Sequence, residues 1–127
     1  MKALFAAAAL ATLTLAPAYA DCTYPHAPDH IPDGNVATLA QMLAAQKTVQ
    51  DYNNQMNAYL VCLKQQEDAA IAQAAIKLTK KQISEMESIE IERNNAAVDQ
   101  LQIVANRFNT EVRVYKKKHA KSGSQDD

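Results

Sequence analysis

Hydrophobic positions fall into three regimes along the chain. The first is a continuous apolar run from Ala3 to Ala16, opened by Met1-Lys2 and closed by Pro17-Ala18-Tyr19-Ala20. Such a run is shorter than the roughly 20 apolar residues that span a bilayer. Its positive start and A-x-A end read as a secretory signal over 1–20, leaving a mature chain from Asp21. The second regime, 21–37, has no periodicity and carries Pro25, Pro28, Pro32 and Gly34, which predicts an extended Pro-rich leader. The third, 38–118, contains neither Gly nor Pro, and its apolar residues recur in steps of three and four. Met42, Ala45, Val49, Tyr52, Met56, Tyr59 and Leu63 form one stripe; Val98, Leu101, Ala105, Phe108, Val112 and Tyr115 form another. This is the heptad-like spacing of helices that pack along a seam. Residues 119–127 are small and polar and predict a disordered tail.

A single helix over the whole third regime would be about 120 Å long at the usual rise per residue. The chain carries punctuation against that. Leu78-Thr79-Lys80-Lys81-Gln82-Ile83 is a capping box, in which the Thr79 hydroxyl accepts from the Gln82 N–H and the Gln82 side chain reaches back, with Leu78 and Ile83 as a hydrophobic staple. Thr38-Leu39-Ala40-Gln41 repeats the logic, with Thr38 and Gln41 in the same roles. Two helix starts predict helices over about Leu39–Ala75 and Lys80–Lys118. Their near-equal lengths predict an all-α fold, a long antiparallel helical hairpin of coiled-coil character. The alternative is a second break at Asn94-Asn95, giving three helices, because Glu85, Glu87, Glu90, Glu92 and the two asparagines interrupt the second stripe.

Composition changes the picture in two ways. After loss of Lys2 the chain has 12 basic and 14 acidic residues, a net charge of −2, which offers nucleic acid no electrostatic attraction. Trp is absent and Phe108 is the lone Phe after the leader, so an elongated body is expected rather than a thick core. Both cysteines, Cys22 and Cys62, follow the signal, and an even pair in an exported chain predicts a disulfide. The leader can make it. Cys22 to Thr38 reaches at most about 53 Å when extended, and Leu39 to Cys62 is about 35 Å of helix. The leader would then fold back along the first helix and be tied to it, a closure worth about 3–4 kcal/mol on the chain-entropy estimate. The rivals are weaker. Lipidation of Cys22 needs a small residue before it, where Asp21 stands, and two isolated cysteines make a poor metal site. The expected location is periplasmic or secreted, with no transmembrane anchor in the mature chain.

Candidate chemistry is sparse. His26, Asp29 and His30 in the leader are metal-ligating residue types, but their spacing matches no standard site, and exposed loop histidines are the simpler reading. Met42, Met56 and Met86 fit the helix seams. Ser84, Ser88, Thr48 and Thr110 have no nearby His, and two glycines cannot build a phosphate loop. No cofactor and no enzymatic activity are expected. Arg113, Lys116, Lys117, Lys118 and Lys121 complement the dipole of a helix C-terminus. The expected partner is an unidentified protein, or a second copy meeting the first through the helical seam.

Two resemblances add to this. The leader cysteine with spaced prolines and Pro32-Asp33-Gly34, then Tyr59-Leu60-Val61-Cys62-Leu63, Asn95-Ala96-Ala97-Val98-Asp99, Arg107-Phe108-Asn109 and Val112-Arg113-Val114-Tyr115-Lys116, resemble a group of small exported bacterial helical proteins, a likeness that implies no activity. Leu78-Thr79-Lys80-Lys81-Gln82 is similar to the LTxxQ motif of the Spy and CpxP periplasmic chaperone family. That family carries the motif twice, and here the other copy reads Ala37-Thr38-Leu39-Ala40-Gln41. The resemblance implies a small all-helical exported protein that shields unfolded clients. The reading from sequence is therefore an exported helical protein with a structural or interaction role in the envelope. The alternatives are a holdase or envelope-stress protein, or a weak metal binder.

Overall fold

A computed structural model describes residues 22–74 and 77–122, with side chains through 120. The expected signal over 1–20, Asp21, Ala75, Ile76 and the part of the expected tail from Gly123 lie outside the described residues. Among those described there are two helices and no strand: α1, Leu39–Ala74, and α2, Lys80–Ser122.

Both helices start on reciprocal side-chain caps. The Gln41 N–H donates to Thr38 Oγ1 at 3.2 Å, and the Thr38 N–H donates to Gln41 Oε1 at 2.8 Å. In α2 the Gln82 N–H donates to Thr79 Oγ1 at 3.3 Å and the Thr79 N–H to Gln82 Oε1 at 2.9 Å. Each box satisfies two backbone donors that the first helical turn would otherwise leave without partners. After α1 the N–H groups of Lys77 and Leu78 both close on the carbonyl of Ala74.

α2 is continuous through Asn94-Asn95, which excludes the three-helix alternative. The Asn94 side chain is turned back on its own helix, its Nδ2 donating to the Glu90 carbonyl at 3.0 Å. An asparagine satisfied in this way stays within the helix. α2 also runs on to Ser122, four residues past the expected end at Lys118, so 119–122 is helix rather than tail. Nothing in His119-Ala120-Lys121-Ser122 breaks a helix. His119 also stacks on Tyr115 with ring centroids 4.0 Å apart, and its Nδ1 meets the Tyr115 carbonyl at 2.9 Å.

The helices meet on a narrow core of Tyr52, Met56, Ala97 and Val104, with Val49, Tyr59, Leu60 and Leu101 packed partly against it. Met56 is fully enclosed. The α1 stripe is as expected: Met42, Ala45, Tyr52 and Met56 are buried, and Val49, Tyr59 and Leu63 are half-buried. The α2 stripe is corrected. Val98 is 46% exposed, while Ala97 and Val104 are buried. The seam therefore steps Asn94, Ala97, Leu101, Val104, Phe108, Glu111, Tyr115, sharing Leu101, Phe108 and Tyr115 with the expected row. Ala97, a small side chain packed with Tyr52 and Met56, lets α2 approach α1 closely there. Across the pair, Lys118 lies by Asn35, Val98 and Leu101 by Val49 and Asn53, and Met86 and Ile89 by Leu63 and Gln66. Lys64 Nζ and Glu90 Oε2 are 3.7 Å apart.

Candidate interaction surface

Two helices in contact have a groove on each side, and the leader lies along one of them. At its start Cys22 stands at disulfide distance from Cys62, with Cα atoms 5.7 Å apart. Tyr24 then meets Tyr59 edge to face, ring centroids 5.1 Å apart, an arrangement aromatic quadrupoles favour. Pro25 is buried. Further on, Ile31 lies over Asn106, Arg107, Thr110 and Glu111 of α2. The leader ends in an Asx turn: Asp33 Oδ1 accepts from the Asn35 N–H at 2.8 Å, and the Asp33 carbonyl accepts from Val36 and Ala37.

That turn docks on α2 through Gly34. Its N–H donates to Glu111 Oε2 at 2.8 Å, and Lys118 Nζ donates to the next carbonyl, Asn35. The backbones touch. A Cβ at Gly34 would overlap the Glu111 carbonyl oxygen and sit 2.7 Å from the Tyr115 nitrogen. Glycine is required here by close approach and not by its φ, since the chain has no described glycine in the left-handed region. This anchor was missed in the sequence. Glu111 gave no signal there, because it lies off the expected row of α2.

The groove on the other side is open. Val49, Gln50, Asn53, Val98, Leu101, Gln102 and Ala105 line it, around a space of about 330 Å³. Its α2 wall is apolar apart from Gln102, and its α1 wall sets Val49 and Tyr52 beside the amides Gln50 and Asn53. It shares no residue with the leader's contacts on α2.

Three polar features bear on chemistry. Tyr52 is buried with its hydroxyl lacking a partner at hydrogen-bonding geometry; burial first, and the neighbouring Tyr24 hydroxyl second, push its phenol up. Glu67 also has an enclosed oxygen without a partner. Burial and the repulsion of Glu90 raise its carboxyl, and Lys64 opposes them. The hydroxyls of Thr48, Ser88 and Thr110 donate to carbonyls four residues back in their own helices, which occupies them. His26 lines a hollow beside Cys22, Gln55 and Cys62, and neither Asp29 nor His30 shares it. Among the described residues no three His, Cys, Asp or Glu side chains are grouped to hold a metal ion, and no helix is long and apolar enough to cross a membrane.

No family model, curated protein or solved structure matches the chain.

Proposed function

We propose that this is an exported protein of the cell envelope, an antiparallel helical hairpin strapped by its own leader, with a structural or interaction role and no catalytic one. The observation that carries this reading is the asymmetry of the two grooves. The leader crosses one of them, held at two anchors, and in the other Val98 is exposed with Leu101 and Ala105 half-buried beside it. A chain that covers one face of so thin a core and leaves the second apolar is suited to hold another protein. The antiparallel arrangement is supported by the order of the cross-helix neighbours, from Asn35 with Lys118 to Lys64 with Glu90. Export is supported by the pattern of 1–20 and by the paired cysteines.

The test is fractionation joined to site-specific photo-crosslinking. The expected result is a chain that begins at Asp21 in the envelope fraction. It should form crosslinks from a photoreactive residue at Val98 and not from one at Asp99, which is exposed on another face. A chain retained in the cytoplasm with 1–20 attached would overturn the export reading. Equal crosslinking from both positions would overturn the groove. The holdase reading draws on the exposed Ile89, Ile91 and Ile103 together with the LTxxQ likeness. Failure to suppress aggregation of a denatured client at several-fold molar excess removes it.

A further inference from the structure

α2 carries more apolar surface than a two-helix seam uses. Beside the seam runs a second row, Ile91, Val98, Ala105 and Val112, each seven residues after the last. If Asn94, Leu101, Phe108 and Tyr115 are a positions and Ala97 and Val104 are d, these four all fall at e. Strict a and d apolarity is the mark of a two-helix seam, whereas an added e row belongs to a helix facing a larger bundle. The row is uncovered where it leaves the seam: Ile91 is 60% exposed and Val98 is 46% exposed. Val98 and Ala105 form the α2 wall of the open groove. The leader cannot cover it, because Arg107 and Glu111, which it touches, lie about 200° and 100° around α2 from Ala105 and Val112.

The charges on α2 indicate what does. Its early part carries Glu85, Glu87, Glu90 and Glu92 among Lys80, Lys81 and Arg93, with Lys81 paired to Glu85, and its late part carries Arg113, Lys116, Lys117 and Lys118 after Glu111. A second α2 laid alongside in the opposite direction brings the glutamate stretch of each copy to the level of the basic stretch of the other. An axis crossing α2 between Leu101 and Gln102 sets Val98 against Ala105 of the other copy and Ile91 against Val112, a larger side chain against a smaller one each time. The same axis sets Glu87 against Lys116. Both are exposed, and neither has an ion-pair partner among the described residues of its own chain. One register thus satisfies the apolar row and the charges together, as a two-fold, self-complementary contact requires.

We infer that the open groove takes a second copy of this chain, α2 against α2 in the antiparallel sense about that axis, making a four-helix bundle. The inference rests on the interaction role proposed above and names its partner. Each hairpin keeps its leader on the outer side, and Gln50, Asn53 and Gln102 become the polar rim of the new contact.

The test is sedimentation equilibrium on the chain in the form the cell accumulates, expressed from the whole coding sequence, with circular dichroism as the folding control. The wild type is expected to be a dimer. Val98→Lys should weaken it about tenfold or more, since a lysine would have to be desolvated in the contact, with helix content unchanged. Glu87→Lys should weaken it about fivefold through its two symmetric pairs. The double variant Glu87→Lys, Lys116→Glu should restore it, and that rescue reports the register. A wild-type monomer at about 100 µM would overturn the inference, and so would a dimer insensitive to Val98→Lys or a charge swap that fails to rescue. A wild-type monomer that still gives Val98-specific crosslinks to a different envelope protein would overturn this inference alone and leave the interaction role standing.

Discussion

Replacing Gly34 by Ala places a Cβ where the Glu111 carbonyl and the Tyr115 nitrogen already are. Neither is the far end of a flexible side chain, so the leader turn has to lift off α2. The expected cost is about 1–3 kcal/mol, the range of overpacking in a close contact, read as a lower denaturation midpoint. An unchanged midpoint would mean the turn is not held there. Glu67 gives a pH-dependent counterpart. Its carboxyl titrates higher in the folded chain than in the unfolded one, through burial first and Glu90 second. The fold therefore favours its protonated form, and that contribution is complete below the ordinary carboxylate range and is lost as the pH rises through the folded value. Lys64, Asp68 and Arg93 are the other charged groups beside it. Glu67→Gln keeps the shape without the charge, so its urea midpoint should exceed the wild type's at pH 7, the gap closing near about pH 4. A gap that persists or widens in acid would contradict the assigned cause.

The two helix starts were legible because a capping box is a local device: Thr and Gln three residues apart determine their own hydrogen bonds whatever lies across the molecule. Thr79→Ala should accordingly cost about 1 kcal/mol, measured as a loss in thermal stability, and no loss would show that the turn does not depend on the cap. The facing of α2 was not legible in the same way. Two rows three and four residues apart run along it and share Leu101, Phe108 and Tyr115, so periodicity alone cannot say which flank is inside. The outcome shows only in the packing across the pair, which buries Ala97 and Val104 with Met56 and Tyr52 and leaves Val98 exposed. The acidic stretch and Asn94-Asn95 looked like an interruption because polar residues weaken a stripe, yet Asn94 is satisfied within its own helix. The leader's second anchor was the least legible feature. Gly34 and Glu111 are 77 residues apart, and no local pattern relates them.

The leader holds the molecule together at two separated points, one at Cys62 on α1 and one at Glu111 on α2. Loss of the Cys22–Cys62 bridge should therefore free only the first part of the leader. Under reducing conditions stability should drop by about 4 kcal/mol on the chain-entropy estimate for this loop. Helix content should persist by circular dichroism, and the Gly34 amide should stay protected from hydrogen exchange. Rapid exchange at Gly34 after reduction would show that the second anchor depends on the first. The bridge also has a topological consequence. It closes a covalent ring from Cys22 through the leader and α1 to Cys62, and α2 lies outside that ring while the leader presses on it. A protease that cuts any peptide bond between Thr23 and Val61 opens the ring without releasing a fragment, so the pieces stay tethered until the sulfurs part. A cut beyond Cys62 severs the chain into two covalently separate parts. The leader and the first two-thirds of α1 are thus spared the usual outcome of a nick, whereas a single cut in the rest of α1, in the connection between the helices or in α2 divides the molecule.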